Sequence, residues 1–466
     1  MGKGYCKRFA SATYRHLTVT YCVLVRRFLV VAMLLTLLAP WQVQASSCNW
    51  DTQPGWVKRE NLKRGDAKWD ANAPLRFSAD FSRRKAVPRI EGFAGAVSAT
   101  CGSKVSLTII GSKRFDLDVY RMGYYGNTGA RLIRTLDSPQ SIAVDSKMPP
   151  GQYLLKLRSK NRAASFIPLM ITGQSSNDLT FVSSVLTWQS YNQFGGQSLY
   201  KGPDGNRETK ATSVSFNRPY DGDGSGQFRY MEQPLITLME KNGLDIDYQT
   251  DIDIDSNPQA FASTKSIVLA GHSEYWTQKM RSHFDSAVAQ GKNLLVFGGN
   301  TGYALTEISG RSISGRTPYR ELGQPESLLL GSQYFALGIK KDLISNNVWP
   351  FSVLGKDAVI KNLYGYEADT AMGSTGPGVQ VLARAAISPT EKGYVAMSTY
   401  YLAPSGAAVI NMGTNAWVCA IANRCPWGHT FDSQAQIQIQ KVTLAVLKAV
   451  KDSKWPVAQI DISSRP

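Results

Sequence analysis

Acidic residues are missing from the first fifty positions of this 466-residue chain; the first is Asp51. The same stretch carries Lys3, Lys7, Arg8, Arg15, Arg26 and Arg27, then an apolar run from Phe28 to Ala39, then Pro40 and Val43-Gln44-Ala45. A basic flank, a short apolar core and a small-residue end form the pattern of a cleaved secretory signal. A membrane-spanning helix needs roughly 20 apolar residues, and this run is too short for one. The sequence therefore predicts a signal peptide over residues 1–45, cleaved near Ala45, and a periplasmic or secreted protein with no stable membrane span. An uncleaved anchor is the alternative, and Arg26-Arg27 leaves the twin-arginine and general export routes both open.

Cysteine is scarce as well. Of six, Cys6 and Cys22 fall in the signal, leaving Cys48, Cys101, Cys419 and Cys425. No Cys-x-x-Cys pair is present, which argues against a zinc site. An even number outside the cytoplasm suggests two disulfides, for which three pairings exist. Cys419–Cys425 and Cys48–Cys101 are favoured. The chain has no G-x-S-x-G elbow, since Ser273 sits in GHSEY, and no Walker pattern surrounds its glycine pairs. No nucleic-acid motif or basic helix accompanies the formal charge of +17. Six of those charges lie in the signal and the rest are scattered, as on a basic surface drawn to acidic envelope polymers.

What is present divides in two. Val105, Leu107 and Ile109 alternate with polar neighbours, as do Phe115, Leu117 and Val119, and Tyr153, Leu155 and Leu157. Period two with Gly and Pro between the runs predicts a β-sandwich-like domain over residues 46–175. From 176 to 466 strands and helices take turns. Leu179–Leu186 is a β-rich run, Pro234 opens a helix closed by Gly243, and SIVLA (266–270) reads as a buried strand. Thr277 caps a helix carrying Met280, Phe284, Ala287 and Val288, LLVF (294–297) is the next strand, and a last amphipathic helix carries Ile437, Val442, Val446 and Val450. This order predicts an α/β domain with a mostly parallel sheet.

In such a sheet ligands bind at the carboxyl ends of the strands. Three polar and aromatic clusters fall at predicted ends: Thr187-Trp188-Gln189-Ser190-Tyr191-Asn192, Gly271-His272-Ser273-Glu274-Tyr275-Trp276, and Gly298-Gly299-Asn300-Thr301. Their convergence would assemble Tyr191, His272, Glu274 and Asn300.

Here the chain resembles the N,N-dimethylformamidase large (beta) subunit-like family. The matching segments are Tyr120–Gly126 (YRMGYYG), TWQSYNQFGGQSLY (187–200), FNRPY (216–220) and GHSEYW (271–276), within a similarity over residues 105–450. The resemblance implies a glutamine-amidotransferase-like doubly wound α/β domain that hydrolyses an amide C–N bond with one iron, Fe(III), held by two tyrosinates and a glutamate. It implies Tyr191 and Glu274 as ligands, Tyr153 in GQYLLKL as the second tyrosine, and His272 and Asn300 as active-site polar residues. Glu367, in YGYEAD, is the candidate for a further catalytic glutamate.

Independently of the family, phenolate and carboxylate are hard oxygen donors suited to a highly charged ion. His272 could accept or donate the proton that the reaction moves, and Asn300 could donate to a developing oxyanion. Plainer readings stand beside these. Tyr191 and Tyr153 suit core packing, Glu274 suits an ion pair, and His272 suits a structural hydrogen bond. Asp221-Gly-Asp-Gly-Ser-Gly, with Glu232 at the twelfth position, has calcium-loop spacing. Its flanks are wrong for an EF-hand, so a glycine-rich turn without calcium is expected. The expected partner is a small-molecule or saccharide-type substrate, not nucleic acid, and a homo-oligomer stays open. The rival to an amide hydrolase is a non-catalytic envelope protein binding a saccharide or peptidoglycan-type ligand in the same cleft, with Trp188, Tyr200 and Trp276 as its aromatic wall. A hydrolase of carbohydrate is a third reading.

Overall fold

A computed structural model describes residues 50–51, 53–73, 75, 89–160, 162–173, 177–338, 340–371, 378–386, 395–426 and 428–457. The expected signal and Cys48 lie outside them. Cys48–Pro466 form one compact unit of mixed α/β structure. No helix among the described residues is long and apolar enough to cross a membrane. Cys419 and Cys425 are joined in a disulfide, and Cys101 is disulfide-bonded too.

The period-two segments form two facing sheets. One contains Glu91–Ala94, Lys104–Ile110 and Ser141–Ala143; the other contains Ser98–Ala99, Ser165–Ile171, Gly151–Arg158, Asp116–Met122 and Ala130–Asp137. Val105, Leu107, Leu117, Val119, Tyr153, Leu155 and Leu157 make the core between them. The alternate positions Tyr120, Leu154 and Phe166 join a second, larger core shared with the helices and strands that follow. With both faces covered, the strands Gly151–Arg158 and Ser165–Ile171 lose the polar alternation of a sheet open to water.

A nine-stranded sheet forms the rest of the framework. Edge to edge it runs Ile246–Thr250, Leu179–Ser183, Ser266–Gly271, Asn293–Gly298, Ala408–Asn411, Val395–Leu402, Gln380–Ala386, Lys341–Ser345 and Val359–Tyr364. The first five strands are parallel and the remainder antiparallel. After Leu179–Ser183 the chain adds its next strand, Ile246–Thr250, on one side and then Ser266–Gly271 on the other. That reversal is a topological switch point, where the carboxyl ends of diverging strands leave a crevice.

Two helices start as their sequence requires. Thr277 accepts the Met280 N–H at 3.1 Å and opens Gln278–Ala289, while Pro234 lies in the first turn of Gln233–Lys241. In the last helix, Ser433–Asp452, Val442, Val446 and Val450 are buried, but Ile437 is 53% exposed and Ile439 replaces it inside. Residue 437 is five positions from Val442, well off the stripe that 439 shares with 442, 446 and 450.

Candidate functional site

The loops that carry Tyr191, His272, Glu274 and Asn300 begin at parallel strand ends. The predicted β run over 179–186 stops at Ser183, and Val185–Tyr191 is helical. Two buried acids take the free N–H groups of its first turn. Glu232 accepts from Ser184 N at 2.9 Å and Asp251 from Leu186 N at 2.8 Å. Tyr191 is the last residue of that helix. The next strand ends at Gly271, whose φ is +57°. A Cβ there would lie 2.5 Å from the Met231 carbonyl oxygen, so only glycine lets His272-Ser273-Glu274 leave the strand at this angle.

His272 and Glu274, two residues apart, turn toward one another. The Tyr191 hydroxyl donates to Glu274 Oε2, which lies 3.3 Å from His272 Nε2. Glu367 Oε2 is 3.0 Å from the same nitrogen. Asn300, after the Asn293–Gly298 strand, donates through Nδ2 to Glu367 Oε2 at 3.3 Å and comes within 3.5 Å of His272 Nε2. Tyr191, His272, Glu274, Asn300 and Glu367 therefore meet in one buried cluster.

Two further partners, Arg316 and Asn415, were not singled out in the sequence, and Tyr200, expected there as an aromatic of the cleft, joins them. Arg316 Nη2 donates to Glu274 Oε1 at 2.8 Å, and its Nε donates to the Tyr275 hydroxyl at 3.0 Å. Asn415 Nδ2 donates to Glu367 Oε2 at 3.1 Å. The Tyr200 ring lies 4.8 Å from that of Tyr191. Arg316 comes from the stretch after 310, which shows no clear period. Asn415 does carry a signal, since it follows the buried strand Ala408–Asn411 as Asn300 follows its own.

Burial alone would lower the His272 pKa, but the facing Glu367 and Glu274 carboxylates push it up to about 10. Burial works against charge on Glu274 as well, yet His272, Arg316 and Tyr191 hold its pKa below the usual carboxylate value. The Tyr191 phenol is driven well above its ordinary pKa by burial and by the two carboxylates. The cluster thus favours a proton on His272, beside a phenol that donates to Glu274.

Tyr153 is not part of it. Its side chain is fully buried in the sandwich core, and its hydroxyl donates to the Pro149 carbonyl at 2.7 Å. The expectation that Tyr153 supplies a second phenolate does not fit this placement: strand phase points it away from the larger core, and its oxygen has a local partner. Tyr153→Phe is expected to cost about 1–2 kcal/mol by leaving that carbonyl unpaired, with turnover unchanged. Thermal unfolding beside an activity assay checks this, and lost activity in a folded variant would return Tyr153 to the site.

Residues 137–427 match the model of a family described as N,N-dimethylformamidase beta subunit-like, C-terminal. The chain belongs to this family. No curated protein matches it. The formamidase-like match takes in every clustered residue and stops short of Tyr120–Gly126.

Among the described residues, no three His, Cys, Asp or Glu side chains are grouped to hold a metal ion. His272 Nε2 lies 3.3 Å from Glu274 Oε2 and 3.0 Å from Glu367 Oε2. The acids of the calcium-loop spacing also turn to separate partners. Asp221 accepts from Gln193 N at 2.8 Å, Asp223 pairs with Arg229 at 3.0 Å, and Glu232 takes the Ser183 hydroxyl and Ser184 N. A shallow cleft is lined by Trp188, Gln189, Arg218 and Tyr220 instead of the clustered residues.

Burial pushes Glu232 from 4.5 up to about 8 against those two hydrogen bonds. A raised acid favours folding fully below its unfolded pKa, and the contribution is lost as pH rises through the folded value. Glu232→Gln, an isostere of the protonated acid, should therefore lose less Tm than the wild type between pH 5 and 9. Parallel melting profiles would contradict the buried, protonated Glu232.

Proposed function

We propose that the protein hydrolyses a linear amide C–N bond at the Tyr191–His272–Glu274–Asn300–Glu367 cluster. The observation that carries the proposal is His272 Nε2 held 3.3 Å from Glu274 and 3.0 Å from Glu367 in a buried setting. A proton-bearing imidazole beside a carboxylate can move one proton from water to a leaving amine. Glu367 takes the proton as the water oxygen bonds to the carbonyl carbon. His272 gives its own to the amine nitrogen as the C–N bond breaks, and Glu367 then returns a proton to His272. The products are an acid and an amine. Asn300 Nδ2, beside both groups, donates to the oxygen that becomes negative.

The iron implied by the family belongs to the proposal too. Tyr191 oxygen and Glu274 Oε2 are already in contact, and a deprotonated Tyr191 with Glu274 makes two hard anionic oxygen donors, so the donor chemistry fits such an ion. When bound, it would polarise the carbonyl and acidify water. Tyr191 and Glu274 would hold it, Glu274 through Oε2, the oxygen that faces Tyr191, while Arg316 stays on Oε1.

Export rests on the sequence of residues 1–45, and the division into residues 46–175 and 176–466 rests on the change from period two to alternating strands and helices. The switch point supports a doubly wound sheet of the glutamine-amidotransferase type. The test of function is amine release from formamide, N-methylformamide and acetamide by the purified protein. Saturable turnover that needs His272 and Glu367 is expected; amine release unaffected by their replacement would sink the proposal.

A further inference from the structure

We infer that Asp369 is the positioning residue of this cluster: it fixes the backbone of Asn300 and ties Asn300 to the strand that carries Glu367. Its catalytic consequence rests on the proposed hydrolysis, whereas its geometry does not.

Asn300 has a φ of +53°. Asparagine takes this left-handed conformation more readily than other non-glycine residues, and the groups around Asn300 fix it there. The holding groups are visible. Asn300 N–H donates to Asp369 Oδ1 at 2.8 Å, and Asn411 Nδ2 donates to Asp369 Oδ2 at 2.9 Å. Asn411 is itself fixed, because Nδ2 also donates to Ser332 Oγ at 2.9 Å and Oδ1 accepts from Gly413 N at 3.0 Å. Asp369 N–H in turn donates to the Gly413 carbonyl at 2.9 Å. One carboxylate, 1% exposed, thus joins the loop after Asn293–Gly298, the end of Ala408–Asn411 and the strand Glu367–Thr370.

Asp369 lies two residues beyond Glu367 on that strand, so both side chains leave the same face. Asn300 is gripped twice from it, by Asp369 at its backbone N–H and by Glu367 at its side-chain amide, 3.3 Å away. Asp369 is in contact with neither His272 nor Glu274 among the described hydrogen bonds, and so it acts through Asn300. Its charge has no cationic partner among the described residues. Burial pushes its pKa up to about 6, against the Asn300 N–H and Asn411 amide that favour the carboxylate.

Asp369→Asn tests this. The new amide can accept from Asn300 N–H only by turning its NH₂ against the NH₂ of Asn411. Expected results are a shifted Asn300 backbone amide resonance, kcat on formamide lower by about tenfold or more, KM unchanged, and no further loss of kcat when the change is added to Asn300→Ala. Additive losses in that cycle, or an Asn300 resonance left in place, would overturn the inference. If the wild type hydrolyses no amide, the proposed function falls, and the Asn300 resonance alone decides the positioning role. Should Asp369→Asn fail to fold, the wild type suffices: its Asn300 amide hydrogen, donated to a buried carboxylate, must exchange slowly with solvent, and a fast-exchanging Asn300 amide in the folded protein would overturn the inference.

Discussion

Glu274→Gln is expected to lower amide turnover about 10³-fold while the protein stays folded, the scale seen when one group stabilising developing charge is removed from an active site. Three partners meet on this carboxylate: Tyr191 and His272 at Oε2, Arg316 at Oε1. The glutamine amide is isosteric, so the packing of Tyr275 and Trp276 survives. It removes the negative charge that helps keep His272 protonated, offers an N–H₂ where one of these donors must be accepted, and supplies a far poorer ligand to a hard cation. All three effects point the same way, which makes the expected loss larger than for Asn300→Ala. Steady-state kinetics with near-UV circular dichroism read both halves of the expectation. A Glu274→Gln enzyme within tenfold of wild type would remove Glu274 from the chemistry.

The second large effect is on stability and lies away from the cluster. Arg121, in the YRMGYYG segment, is fully buried and pairs with fully buried Glu240 at 2.8 Å. Its guanidinium also donates to the Pro150 carbonyl at 3.0 Å and the Tyr125 hydroxyl at 2.8 Å. Glu240 further accepts from Tyr248 hydroxyl at 2.7 Å, Asn61 Nδ2 at 2.9 Å and Tyr124 N at 3.2 Å. The pair therefore clamps the sandwich strand Asp116–Met122 to the helix Gln233–Lys241. Removing one member of a buried pair strands the other charge, at a cost of about 3–5 kcal/mol. Arg121→Leu is expected to cost that much in chemical denaturation, and Arg121→Leu with Glu240→Leu should recover part of it. A single-variant cost below about 1 kcal/mol would mean that the clamp carries no structural weight.

The clamp explains why the YRMGYYG segment stands out without contributing to the cluster: its arginine serves architecture. Local pattern carried the sequence reading where the determinants are local. Strand alternation exposed the sandwich core, a threonine exposed the start of Gln278–Ala289, and apolar runs ending in Gly271 and Gly298 exposed where the site loops leave the sheet. Tyr153 shows the limit. Its inward phase was readable, but which core it faced depends on how two sheets pair, and the partner of its hydroxyl is a carbonyl four residues back. Arg316 and Asp369 were hidden for another reason. They reach the site through strands and turns between residues 312 and 415 whose registers are fixed by non-local pairing and broken by bulges, as in the ribbon of Gln333–Leu337 with Glu367–Thr370. Glu367 was named only through the family resemblance, and the structure brings it to His272.

The most direct test of the central claim is amine release from a small linear amide by the purified, iron-supplied protein, run beside Glu274→Gln and Glu367→Gln. The account predicts saturable release by the wild type and its near-complete loss in both variants, with folding intact. Absence of release from every linear amide by folded, iron-loaded protein would contradict it, as would release that survives both substitutions.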